Sequence, residues 1–223
     1  MAETAADRVK VVAARIRSRE KDHIKLLFAV LSADEGAIFG NDLIGAAAIQ
    51  RSLMLTKGFL AMLRSRNYLC AGALLRMQVD TLLRLQAAAL FPSGNTPLTW
   101  FLQGKPLSKL KAPDGKPLTD KELCSRVAKR YEWVPRVYER TSGFIHFSSP
   151  AMFSIFAGRP KGRTLAIAVG RTPGRRWRGE ERLEAAEAFE AATHAVLDMV
   201  YSWGHTKALV ASQRRAKTSS GKR

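Results

Sequence analysis

Apolar positions recur at helical intervals along most of the chain. From residue 2 to 31, Val9, Val12, Ile16, Ile24, Leu27 and Leu31 return at roughly every third or fourth place. That spacing predicts an amphipathic helix, with a break at Lys21–Asp22. Residues 38–66 predict a second long helix, in which Gly45 and Gly58 lower helix propensity but permit close packing. A third helix, 68–91, ends at Phe91-Pro92-Ser93-Gly94. Residues 92–118 are rich in Pro, Gly and Lys and read as a long connection with one short helical turn. A connection of that length in a compact domain is often functional. Thr119 and Glu122 then form a capping box for a helix over 120–131. Val134-Pro135 opens the next helix, with proline at its first position.

After that helix the period changes. Residues 151–170 are two short apolar runs around Gly158-Arg159-Pro160-Lys161-Gly162, which is a hairpin signal. Residues 179–212 return to the helical period. Glu180, Glu181 and Glu184 load the first turns, while Lys207, Arg214 and Arg215 lie at or beyond the end, as the helix dipole favours. The expected fold is mainly α: a helical bundle with a small β-hairpin inserted before the last long helix. Residues 1–212 form a single domain in this reading, and 213–223 a basic tail without structure.

Composition changes this picture in one respect. Hydrophobic residues make up 46% of the 223 and charged residues 25%, the profile of a chain with a real core. The net charge of +18 is the outlier. Residues 158–179 carry seven Lys/Arg and no acid, and residues 207–223 carry six and no acid. Such patches attract polyanions, RNA first among them. No apolar run reaches the roughly 18 residues of a membrane span, and the polar N-terminus, mixed in charge, does not read as a signal peptide. Cys70 and Cys124 have no disulfide spacing, which fits a reducing, cytoplasmic setting without membrane attachment.

Candidate chemistry is concentrated in two places. Arg76, Asp80 and Arg84 recur every four residues on an otherwise apolar helix. They read either as intrahelical ion pairs at the surface or as a polar seam lining a cleft. The second place is 136–150. On a regular helix through 147, Glu139, Ser142, Gly143 and His146 share one face, and Arg140 lies off it by roughly 120°. His146 can serve as general acid or base near neutral pH. Arg140 can hold a phosphate or steady developing negative charge, and Ser142 can orient either. That set suffices for RNA cleavage without metal. The bland alternative is a buried histidine bonded to a backbone carbonyl. His23, His146, His194 and His205 are scattered, no HExxH, Walker, GxGxxG or GxSxG pattern occurs, and neither metal nor cofactor is expected.

The residues Arg140-Thr-Ser-Gly-Phe-Ile-His146 resemble the R-x(4–6)-H signature of the HEPN superfamily (higher eukaryotes and prokaryotes nucleotide-binding). Residues 74–91, 115–123, 131–148 and the following hairpin are similar to a group of bacterial proteins in or near it, so the likeness spans about 74–170. It implies a helical bundle, commonly a homodimer, with the Arg and His lining a cleft at the dimer interface. It implies a metal-independent endoribonuclease of bacterial defence or toxin–antitoxin type, with an antitoxin as possible partner. His146 would be the acid/base and Arg140 the phosphate group, with Glu139, Ser142, Arg76, Asp80 and Arg84 in support. One departure stands out: active members often carry Asn, Asp or His directly after the Arg, where this chain has Thr141. Other members are non-catalytic, so the alternative is a helical module that binds nucleotide, nucleic acid or a protein partner. A third reading is a dimerising scaffold whose charge serves solubility.

Overall fold

In the computed structural model, residues 4–145, 164 and 179–220 are described, with side chains through 217. The helices are α1 (Ala5–Ser18), α2 (Glu20–Ser32), α3 (Gly40–Arg64), α4 (Tyr68–Ala89), α5 (Asn95–Leu102), α6 (Asp120–Ala128), α7 (Val134–Ser142) and α8 (Gly179–Ser220). The predicted helical bundle is present, and the described residues form no sheet. The hairpin expected at about 151–170 lies outside the described residues, Thr164 apart.

The first helix breaks at Arg19, two residues before the expected place. The α3–α4 pair is joined by only three residues, so the two helices run antiparallel. Their apolar stripes, with those of α1 and α2, close around α8. At the centre Phe59 of α3 stacks on Phe189 of α8, ring centroids 3.9 Å apart. Both rings are fully buried. The 42-residue α8 is about 63 Å long at 1.5 Å per residue. Its buried positions include Leu183, Ala186, Phe189, Thr193, Val196, Val200, Lys207 and Ala211, steps of three, four and seven that follow the helical period.

Two expectations need correction. Residues 92–118 hold a two-turn helix, α5, and a 3-10 turn at Leu107–Lys109. Pro97 looks like a breaker but sits in the first turn of α5, where its missing N–H costs nothing. Leu107, Leu110, Ala112 and Leu118 are buried and pin the rest of the segment to the core. Just before α5, Gly94 adopts φ +70°, and a Cβ there would lie 2.1 Å from Asn41 Oδ1. The chain therefore needs glycine for both conformation and space. The second correction concerns 213–220, which continue α8 rather than forming a tail. Arg214 and Arg215 are held by Asp34 (3.4 Å) and Glu35 (2.7 Å) in the α2–α3 turn, which gives the end of the helix a partner.

Candidate functional site

The Arg76–Asp80–Arg84 stripe is a joint between helices. Its partners are Asp120, at the first position of α6, and Tyr138 of α7. Arg84 donates to Asp80 (2.6 Å) and to Asp120 (2.8 Å). Arg76 reaches Asp120 at 3.5 Å and lays its guanidinium on the Tyr138 ring, 3.8 Å from the centroid. The Tyr138 hydroxyl donates to Asp120 at 2.8 Å. The intrahelical pair expected between Asp80 and Arg84 is present. The carboxylate that Arg76 and Arg84 flank is Asp120, whereas Asp80 lies between Arg84 and, at 4.0 Å, Arg51 of α3. Burial opposes the negative charge on Asp120, but Arg84, the Tyr138 hydroxyl and Arg76 outweigh it and hold its pKa below the usual carboxylate value. Burial also opposes the charge on Arg84, and Asp80 and Asp120 outweigh it, so its pKa is raised. Nearby Cys124 has its thiol pushed up to about 11, mainly by burial and then by Asp120, which leaves it unreactive at neutral pH.

Arg140 does not join this seam. Two residues after Tyr138 it has turned roughly 200° around α7 and points toward α8. There it pairs with Glu184, and Arg136, one turn earlier, reaches the same Glu184 Oε1 at 2.9 Å. The two guanidiniums, 74% and 57% exposed, thus converge on one oxygen of a carboxylate that is itself 43% exposed. The other face of α7 is inward. Val134 and Thr141 are buried, and Phe144, just past the helix, packs on Gly72 of α4, where a Cβ would meet the ring at 2.7 Å.

The remaining site residues separate. Glu139 is exposed. Ser142 donates its one hydroxyl proton to the Tyr138 carbonyl at 2.7 Å, so toward any other group it can only accept. The bond is local: a serine hydroxyl in a helix reaches back to the carbonyl four residues earlier and shares it with the backbone N–H. The helix stops at Ser142 and gives way to turns at Gly143–Ile145. A regular helix through 147 is therefore not what carries the motif onward. His146 lies outside the described residues.

Two buried polar clusters escaped the sequence reasoning. In the first, His23 Nδ1 contacts the Arg19 carbonyl (2.7 Å) and Nε2 contacts Ser52 Oγ (2.9 Å). Gln78 Nε2 donates to Ser52 (2.7 Å) and to Thr193 (3.2 Å). The Arg19 carbonyl can only accept, so Nδ1 carries the proton and Ser52 donates to Nε2. A Ser–His contact of this kind resembles a nucleophile and its base. Yet both side chains sit in residues with 0% exposure, and no substrate reaches them. Burial, the dominant influence, lowers the His23 pKa despite the Arg19 carbonyl.

The second cluster is an ion pair in the core. Lys207 Nζ contacts Asp42 Oδ2 at 3.1 Å, the two side chains being 1% and 0% exposed. Lys207 also donates to the Val30 carbonyl (3.0 Å), and Trp203 Nε1 and the Phe39 N–H donate to Asp42 (2.8 and 2.7 Å). The sequence carries a signal for this. Lys207 continues the buried series Val196, Val200 and Ala211 on α8, a position that calls for a partner.

A groove of about 360 Å³ runs between the start of α3, the end of α4 and α8. Leu85, Ala88, Met199 and Val200 line it. The guanidinium on its wall, Arg130, is engaged by Asp198 (2.6 Å) and Ser202 (3.1 Å). Asp198 also accepts from Tyr131, whose hydroxyl pKa is raised first by burial and then by that bond. Among the described residues no His/Cys/Asp/Glu group could hold a metal ion, and no helix is long and apolar enough to cross a membrane.

Comparison with protein-family models, with curated proteins and with solved structures finds no match to this chain.

Proposed function

We propose that this chain binds RNA through its phosphates at the exposed face of α7 that carries Arg136 and Arg140. The observation that carries the reading is the convergence of Arg136 and Arg140 on one carboxylate oxygen. Two guanidiniums that satisfy one carboxylate oxygen can satisfy one phosphate oxygen by the same charge-assisted hydrogen bonds. The net charge of +18 and the acid-free stretch 158–179 supply the long-range attraction. Contacts of this kind neutralise phosphates without reading bases, so binding tolerates many sequences and weakens steeply with salt.

Cleavage is the stronger form of the same proposal. It is favoured by the exposed Arg140 standing six residues before His146. Arg140 would hold the phosphate, and His146 would take the 2′-hydroxyl proton as that oxygen attacks the adjacent phosphorus; the P–O5′ bond breaks, leaving a 2′,3′-cyclic phosphate and a 5′-oxygen that takes up a proton. The defence role, the antitoxin and the homodimer rest on the HEPN resemblance alone.

The test is fluorescence anisotropy with a labelled 20-nucleotide single-stranded RNA across a salt series, run in chelator and followed on a gel. Arg136→Ala/Arg140→Ala is expected to weaken binding and to flatten the log–log salt slope by about 0.7, the value for one lost phosphate contact on a single strand. An unchanged slope would remove the site. Cleavage that proceeds in chelator and stops in His146→Ala, with binding retained, supports the nuclease form. Binding with no cleavage leaves the non-catalytic module.

A further inference from the structure

We infer that Glu184 is an internal competitor for the phosphate, a carboxylate that RNA must displace before Arg136 and Arg140 can act on it. The inference rests on the RNA-binding reading above. It goes further in giving α8 a part in the site and in making the free protein self-blocked there.

Its basis is geometric. Both guanidiniums meet the same atom, Glu184 Oε1. A phosphodiester carries one negative charge over two non-bridging oxygens, and a carboxylate carries one over two oxygens. The two anions therefore compete for the same donors. The position is open to exchange, since all three side chains are between 43% and 74% exposed. Exposed ion pairs of this kind hold weakly, so a ligand can replace them without large loss. Contrast Asp120, which also lies between two guanidiniums. It is fixed by Tyr138, and Arg76 beside it is only 11% exposed. That carboxylate is part of the helix joint, whereas Glu184 only closes the α7–α8 edge. Displacing Glu184 also frees the end of α7 from α8, so bound RNA should loosen that contact.

The site on this account takes a singly charged phosphodiester oxygen, and its affinity is set by how firmly Glu184 holds the pair. The experiment compares Glu184→Gln with Glu187→Gln in the RNA anisotropy assay. Glu187 lies one turn along α8, is 49% exposed, and pairs with Arg8 at 3.7 Å. Each change removes one negative charge and releases at least one arginine. Glu184→Gln is expected to tighten binding about three- to tenfold more than Glu187→Gln, the range of two weak exposed pairs. The gain should vanish when Arg136 and Arg140 are also replaced by alanine. Glu184→Ala run alongside keeps the result from depending on one replacement side chain, and circular dichroism checks the fold of each variant. Equal tightening by the two glutamine variants overturns the competitor role and leaves RNA binding standing. No binding by the wild type or any variant overturns both. Binding that appears only when Glu184 is replaced supports the inference in its strongest form.

Discussion

Replacing Lys207 with methionine isolates the energetics of the core ion pair. Methionine keeps the length and apolar stem of the side chain and removes the ammonium. Asp42 is then left at 0% side-chain exposure with two donors, the Phe39 N–H and Trp203 Nε1, and no cation in contact. The Val30 carbonyl, in the last turn of α2, loses its Lys207 donor as well. Breaking a buried pair from one side costs about 3–5 kcal/mol, a large share of the ~5–15 kcal/mol that holds a typical domain. At ~2–4 °C per kcal/mol for a chain of this size, the melting temperature should fall by roughly 6–20 °C. The assay is urea unfolding followed by circular dichroism at pH 7, with slope and midpoint fitted separately. Asp42→Asn/Lys207→Met removes both charges and should recover most of the loss, ending within about 1–2 kcal/mol of wild type. If Lys207→Met lies within ~1 kcal/mol of wild type at an unchanged slope, the pair is not a determinant of stability. Additive single and double variants would show that the two groups are uncoupled.

Three further expectations concern His23, Asp120 and Gly94. His23 has its pKa lowered in the fold, so below the ordinary histidine value of about 6.5 the unfolded chain takes up the proton first. Stability should be flat with respect to His23 above that pH and fall as pH drops below it; urea midpoints from pH 7.5 to 5 in wild type and His23→Asn test this, and equal acid slopes would refute it. Asp120 has its pKa lowered, so its contribution is present above the ordinary carboxylate value of about 3.8 and is lost on acidification below it. Asp120→Ala at neutral pH should cost about 2–3 kcal/mol and increase hydrogen exchange in α6 and α7 before α3. Gly94→Ala meets both φ +70° and the Asn41 side chain and should destabilise by about 2 kcal/mol in the same urea assay.

The helices were legible because each buries one stripe, and a stripe leaves a period in the sequence. The break near Lys21 was legible for the same reason. Helix α5 was hidden because Pro97 reads as a breaker until its place in the first turn is known. The charged stripe of α4 was visible from spacing, but Asp120, its main partner, lies at the head of another helix. Spacing says which face a residue occupies and nothing about what meets that face. Lys207 shows the limit most clearly: its buried position follows from the α8 series, whereas Asp42 lies 165 residues away. At the site, Arg140 was singled out by its spacing to His146. Arg136 and Glu184 required knowing that the start of α8 comes within side-chain reach of α7.

The place of α8 in the chain has a consequence for biosynthesis. Helix α4 ends at Ala89, yet the residues that close the core against it, Phe189 to Val200, come about a hundred positions later. At ~5–20 residues per second, a ribosome leaves the apolar faces of α1–α4 without their central partner for about 5–20 s. Those early helices can pair locally, but they cannot seal. The nascent chain is thus an open sleeve waiting for its rod, and through that interval it is a natural client for chaperones that shield exposed apolar surface.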